Sequence, residues 1–227
     1  MSKVQTHFRS LIAIAFMVVG LIVVVRADEP QQPQPQIDSA KKANARPTAT
    51  PAEKPEPFAG AGVEVMRAQC VSLETELGVI EIEMIPEVAP ESVRSFLNLA
   101  ANGALDTTTF SRTVKDFVIQ GGNLTTSEKW SNELALRMSR RLPDEPGLVK
   151  HVRGIVSMAR TAEPNSATTQ FFILVGDGHH LDSKFSAFGR VTKGIEVADS
   201  INNAPAEGEK PNKPVRINRA LVTPCKK

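Results

Sequence analysis

Three regimes of apolar and polar residues succeed one another along the chain. Residues 11–25 form an apolar run without a charged group, residues 28–60 carry few large apolar side chains, and from about Met66 apolar residues recur at short intervals. Only the third regime has the spacing of a folded domain. Within it, residues 71–75 and 79–84 read as two strands around Glu76-Leu77-Gly78. In the second, Ile80, Ile82 and Met84 alternate with Glu81 and Glu83, the period-two pattern of a half-buried strand. Pro90 then opens a helix: proline suits the first helical position, Glu91 the first turn, and Gly103 the end. Val93, Phe96, Leu97 and Ala100 follow at i, i+3, i+4 and i+7, a single apolar stripe. Further strand-like runs at 117–120, 154–159, 170–175, 185–191 and 215–222 are separated by Gly, Pro and Asn, with a second short helix near 194–201. Many short strands with two helices predict a mainly β domain, an antiparallel barrel or sandwich.

Composition adds a destination. The chain has 227 residues, and the roughly 160 from Met66 onward suffice for one well-buried core. Lys3 and Arg9 precede the apolar run and residues 1–27 contain no acid, the make-up of an export signal. Val25-Arg26-Ala27 offers cleavage after Ala27. The competing reading is an uncleaved anchor, although the fifteen residues 11–25 fall short of the roughly 20 that span a bilayer. Residues 1–27 are thus expected to be a signal peptide or an N-terminal membrane anchor. Both readings place the remainder outside the cytoplasm, in the periplasm or cell envelope. Residues 28–65, with prolines at 30, 33, 35, 47, 51, 55 and 57 and glutamines at 31, 32, 34 and 36, predict a disordered linker. So little apolar surface cannot offset the entropy of ordering. A ligand for an aromatic groove is the alternative. Residues 66–227 form the expected domain.

The net charge of +2 misleads, because Lys3, Arg9 and Arg26 belong to the leader and leave 24 basic against 25 acidic residues. That balance gives no electrostatic case for nucleic-acid binding. Cys70 and Cys225 lie at opposite ends of the domain. An even count in an exported protein fits a disulfide, with two unpaired small hydrophobes as the alternative.

Candidate chemistry concentrates in Phe110-Ser111-Arg112-Thr113-Val114-Lys115-Asp116-Phe117-Val118-Ile119-Gln120-Gly121-Gly122 and in Thr169-Gln170-Phe171-Phe172-Ile173. One arginine, several phenylalanines and two glutamines fit an apolar pocket with a cationic donor at its rim. Paired carboxylates and metal-ligand spacing are missing from both stretches. Rotation about a prolyl peptide bond needs neither. His179-His180 lacks a third ligand at suitable spacing, Gly121-Gly122 lacks a phosphate-loop context, and Asn123-Leu124-Thr125 is a glycosylation sequon only in a eukaryotic secretory pathway.

Phe110-Ser111-Arg112, Phe117 and Gln120-Gly121-Gly122 resemble the catalytic segment of the cyclophilin-type peptidyl-prolyl isomerases. Gly154-Ile155-Val156-Ser157-Met158-Ala159-Arg160, Gln170-Phe171-Phe172-Ile173, and Leu181-Asp182 with Phe188-Gly189-Arg190-Val191 are similar to the family's later motifs, in order. Met158-Ala159-Arg160 and the short hairpin at 76–78 look like its compact bacterial branch. The resemblance implies an eight-stranded antiparallel barrel capped by two α-helices. It implies Arg112 as the catalytic residue and Phe117, Val118, Phe172, Leu181 and Phe185 as walls for the proline ring. Gln120 and Gln170 would orient Arg112 or the substrate carbonyl, and Ala159 and Arg160 would hold substrate backbone through main-chain groups. Phe171, of opposite pleat parity to Phe172, is expected in the core. Adjacent first and last strands would favour a Cys70–Cys225 bridge. No cofactor or metal is implied, and the partners would be proline-containing segments of unfolded or exported proteins. The alternative is a non-catalytic module that binds proline segments or holds unfolded chains.

Three departures stand out. Ser111 occupies a position where many members have histidine, and Phe185 replaces a histidine at the pocket edge. His180 stands where the cyclosporin-binding eukaryotic members carry tryptophan, which implies weak cyclosporin binding. Residues 123–146, which include Trp130, align poorly with the family and receive no role.

Overall fold

A computed structural model describes residues 56–225. The expected leader and the linker up to residue 55 lie outside the described residues. The strands are β1 Gln69–Thr75, β2 Gly78–Met84, β3 Arg112–Val114, β4 Val118–Gly121, β5 Ile155–Met158, β6 Phe171–Leu174, β7 Ala187–Lys193, a two-residue ribbon of β8 Ala206–Glu207 and β9 Lys210–Pro211, and β10 Ile217–Pro224. The helices are α1 Val63–Arg67, α2 Pro90–Ala101, α3 Asn132–Ser139 and α4 Ile195–Asn202.

The first hairpin forms as its alternation dictates. Val71 pairs with Ile82 and Leu73 with Ile80, and all four side chains are fully buried. Thr75 closes the turn: its hydroxyl donates to the Gly78 carbonyl at 2.7 Å and accepts the Leu77 N–H at 3.1 Å. The eight long strands make one antiparallel sheet in the order β10-β1-β2-β7-β5-β6-β4-β3. Its two edges are tied by the segments that lead into β3 and β10. Thr107 N–H donates to Ile217 O, Ile217 N–H to Thr108 O, and Phe110 N–H to Val215 O, at 2.8, 2.8 and 2.9 Å. The sheet therefore rolls into a barrel whose seam runs through residues 107–110.

Both expected helices, α2 and α4, form and pack apolar side chains into the core. Phe96 of α2 meets Phe171 and Phe188 with ring centroids 5.1 and 4.9 Å apart, and Ala198 and Ile201 of α4 are buried in the same cluster. Ala89 gives α2 no side-chain cap. Glu145 supplies one from far along the chain: its carboxylate accepts the Glu91 N–H at 2.9 Å, the Ser92 N–H at 2.8 Å and the Ser92 hydroxyl at 2.7 Å. An anion there also meets the positive end of the helix dipole.

The expected linker boundary moves. Residues 56–65 are held against the domain rather than continuing the linker. Phe58 N–H donates to Asn98 Oδ1 at 2.9 Å, Arg94 donates to Ala61 O at 2.9 Å, and Met66 in α1 is fully buried. Two apolar anchors, Phe58 and Met66, outweigh the local proline content. The strand expected at 117 begins at Val118, and Phe117 sits in a turn beside Asp116, whose φ is +57°. The strand expected from 185 begins at Ala187, leaving Phe185 on the preceding loop. Cys70 and Cys225 form a disulfide across the β1–β10 edge with Cα atoms 4.9 Å apart.

Candidate functional site

Three strand pairings place the site. Arg112 lies opposite Gln120 on β3–β4, Gln120 opposite Phe172 on β4–β6, and Phe172 opposite Ser157 on β5–β6. β6 is buried at all four positions, because the barrel core covers one face and a second apolar cluster covers the other. That second cluster, built on Val118, Phe172, Leu174, Leu181 and Ala187, carries Phe117, Ala159 and Phe185 at its margin. Phe171 points the opposite way from Phe172, into the core against Phe96 and Phe110, as pleat parity requires.

A cavity of about 220 Å³ opens on the second cluster. Arg112, Phe117, Val118, Gln120, Ala159, Arg160, Phe172, Leu181 and Phe185 line it. Two predicted site residues stand outside the lining. Gln170 lies behind Gln120, accepting its side-chain N–H at 2.9 Å. His180 is exposed and turns its ring to Phe117, centroids 5.3 Å apart. Phe185 meets Phe172 edge-on at 5.9 Å.

Arg112 is the cation at the cavity mouth, and a chain of hydrogen bonds fixes its plane. Gln170 takes the Gln120 amide proton, which points the Gln120 carbonyl at the arginine, and that oxygen accepts from Arg112 Nη1 at 3.1 Å. On the opposite edge, Arg112 Nε donates to Glu209 Oε2 at 2.7 Å. The hydrogen bond and charge of Arg112 hold the Glu209 carboxyl below its ordinary range. Sequence reasoning missed Glu209, which arrives on the β8–β9 ribbon, 97 residues further along. Its turn requires Gly208 at φ +61°. Gly122 matters for a different reason: at φ +79°, a Cβ there would lie 2.3 Å from the Thr169 carbonyl and force Gln170 outward.

Arg160 roofs the opposite rim. Its guanidinium carbon lies 5.0 Å over the Phe185 ring, Nη2 donates to Lys184 O at 3.0 Å, and Nε faces Asp144 at 3.5 Å. Of the main-chain groups expected to hold substrate at Ala159 and Arg160, the Ala159 N–H donates to Gln170 O at 2.9 Å. Residues 141–145, within the stretch given no role from sequence, brace this rim. Arg141 pairs bidentately with Glu163 at 2.6 and 3.1 Å, Leu142 bridges Ala167, and Glu145 N–H donates to Ser186 Oγ at 2.8 Å.

A Ser-His-Asp arrangement lies close by. Ser157 Oγ is 3.0 Å from His151 Nε2, and His151 Nδ1 is 3.2 Å from Asp182 Oδ1. Ser157 is 0% and His151 1% exposed, so no acyl group reaches the hydroxyl. The relay is internal bracing: Ser157 backs Phe172 and Asp182 follows Leu181. Burial pushes the His151 pKa down despite Asp182, and the His151 N–H holds the Asp182 carboxyl at about 2.

An apolar cavity sized for a small ring, with a fixed guanidinium at its mouth and no nucleophile or base among the residues that line it, suits catalysis by conformational stabilisation rather than bond cleavage. Barrel and site together define a prolyl-bond isomerase. The family model for cyclophilin type peptidyl-prolyl cis-trans isomerases matches residues 70–222. The chain belongs to that family, and it is a peptidyl-prolyl cis-trans isomerase. A peptidyl-prolyl cis-trans isomerase of Acinetobacter baylyi is 38% identical over 157 residues, covering 65% of this chain and 81% of the relative. Peptidyl-prolyl cis-trans isomerase A of Dickeya dadantii is 36% identical over 162 residues, covering 67% and 83%. Among solved structures, a Cryptosporidium parvum cyclophilin type isomerase, crystallised in the presence of the dipeptide Ala-Pro, is 29% identical with a TM-score of 0.60, covering 68% of this chain and 98% of its own.

Proposed function

We propose that Arg112 catalyses the isomerisation and that the cavity behind it takes the proline ring. The barrier to X–Pro rotation is about 18–20 kcal/mol because the twisted amide loses resonance. Lowering it requires tighter binding of the twisted amide than of either planar form. The prolyl nitrogen lone pair is available to a donor only in the twisted state, and the carbonyl oxygen swings through the same arc. A guanidinium stays charged and keeps a fixed fork of donors. The observation that carries the reading is Arg112 held at the cavity mouth by the Gln170–Gln120 chain. Glu209 and Gln120 engage Nε and one Nη1 proton, leaving the Nη2 edge for the substrate.

The test is a protease-coupled assay of the full chain and Arg112→Ala on a tetrapeptide with one X–Pro bond. Losing one preorganised donor to a transition state costs about 10²–10³ in rate, and a fall of that order is expected. Equal rates for the two proteins would remove Arg112 from the mechanism.

The same reading extends to where the enzyme works and on what. The substrates are proline-containing segments of unfolded, exported proteins, met in the periplasm or cell envelope. The charged and apolar leader supports export, as does the Cys70–Cys225 bridge, since such bonds persist in oxidising compartments. Fractionation of cells tests this: recovery in the cytoplasm would overturn it. His180, exposed beside Phe117, supports weak cyclosporin binding, because an imidazole offers less apolar face than the indole of binding members.

A further inference from the structure

Both guanidiniums at the cavity carry a carboxylate partner, in different settings. Arg160 and Asp144 shield one another, their side chains 18% and 20% exposed. Arg112 and Glu209 face water, 42% and 57% exposed. Glu209 is not a loose surface acid. Its carbonyl accepts the Thr113 N–H at 2.9 Å, fastening the ribbon to β3, and its carboxylate reaches Arg112 Nε at 2.7 Å. A peptide whose proline enters the cavity must lay its flanking residues across this rim. Without Glu209, the first charge met there is the bare Arg112 cation, which attracts acidic side chains whether or not they help the prolyl bond twist.

We propose that Glu209 is a specificity-determining residue: it masks the charge of Arg112, so that acidic residues beside proline gain no advantage over basic ones. The inference rests on Arg112 acting at the prolyl bond. It uses the carboxylate as a screen rather than as an acid or base, so the chemistry of the step is untouched.

The experiment uses the full chain and peptides with Glu, Ala or Lys immediately before or after proline. Rates are read by NMR exchange, because a coupling protease would itself respond to those charges. Glu209→Gln keeps an oxygen for the Arg112 Nε–H and removes only the charge. The ratio of kcat/KM for Glu-flanked over Lys-flanked peptides is expected to rise about two- to fivefold, the range exposed ion pairs reach. The rise should lie mainly in KM and be larger in Glu209→Lys. Raising salt to about 1 M, where the Debye length is about 3 Å, should erase it. A ratio unchanged in both variants at low salt overturns the proposal. If Arg112→Ala is inactive while the ratio stays constant, Glu209 alone is misassigned. Full activity in Arg112→Ala instead defeats the assignment beneath it.

Discussion

Breaking the Cys70–Cys225 bridge should lower stability by several kcal/mol and leave catalysis alone. The bond joins residues 155 apart in sequence, one at the start of β1 and the other just past β10. Closing a loop of that size in the unfolded chain costs an entropy equivalent to about 5 kcal/mol at 25 °C, and removing native disulfides typically costs about 2–5 kcal/mol. The native side changes little, because β1 and β10 stay paired from Gln69↔Pro224 to Thr75↔Ile217. For a domain of this size each kcal/mol moves Tm by about 2–4 °C, so a drop of roughly 5–20 °C is expected. The assay is urea and thermal unfolding of the full chain, oxidised and reduced, with the Cys70→Ser/Cys225→Ser double variant beside it. A bond that acts on the unfolded ensemble should also raise the urea m-value when cut, as the freed chain exposes more surface. Neither cysteine lines the cavity, so tetrapeptide turnover should be the same in all three forms below the melting range. Equal midpoints with and without reductant would refute the reasoning, as would two thiols open to alkylation in unreduced protein.

Four further outcomes follow from the same geometry. Glu145→Ala uncaps α2 and leaves the Ser92 hydroxyl and two N–H groups without their acceptor; urea midpoints should report a loss of about 1–2 kcal/mol. Gln170→Leu frees the Gln120 amide to turn its carbonyl away from Arg112, and kcat should fall several-fold with KM nearly constant in a tetrapeptide assay. His151 has a folded pKa below its ordinary 6.5, so the unfolded chain binds the extra proton first. Stability should therefore decline as pH falls below about 6.5, and decline again between 3.8 and about 2 as Asp182 is protonated. Thermal melts across pH should show both steps, and His151→Asn should abolish the first. Finally, His180→Trp should tighten cyclosporin about tenfold in a fluorescence titration, since an indole adds apolar area beside Phe117.

Legibility in the sequence followed contact distance and pattern. Ile80, Ile82 and Met84 announced β2 because one face of the strand is buried and the other is not, while β4 and β6, covered on both faces, gave only short apolar runs with blurred ends. The cavity lining was recoverable because its residues lie in or beside the motifs that carry the family resemblance, with Arg112, Val118, Gln120 and Phe172 on three adjacent strands. Glu209 was not, since its ribbon is two residues long on each side and no periodicity marks it. His151, Ser157 and Asp182 lay in plain view but come from different loops and strands, and only the fold brings them within 3.2 Å of one another. Residues 56–65 look like linker in sequence because the partner that holds Phe58 is Asn98 on α2, 40 residues away. α3 was missed for a related reason: its one fully apolar buried position, Leu134, is joined by the buried cation Arg137, and Leu136 is left outside, so no clear apolar stripe marks it.

The seam that closes the barrel gives the enzyme a built-in reporter. Phe110 N–H is donated across it, and Arg112 follows two residues later on the same extended segment. The arginine's backbone thus lies between these seam bonds on one side and the β3–β4 ladder, where it faces Gln120, on the other. An opening confined to residues 107–110 and 215–217 would free one end of the edge strand β3 that carries the cation, while the remaining strands stayed paired and the circular dichroism stayed native. Turnover, rather than secondary structure, is then the first signal to fade as the molecule loosens, and the exchange rate of the Phe110 amide proton should track it.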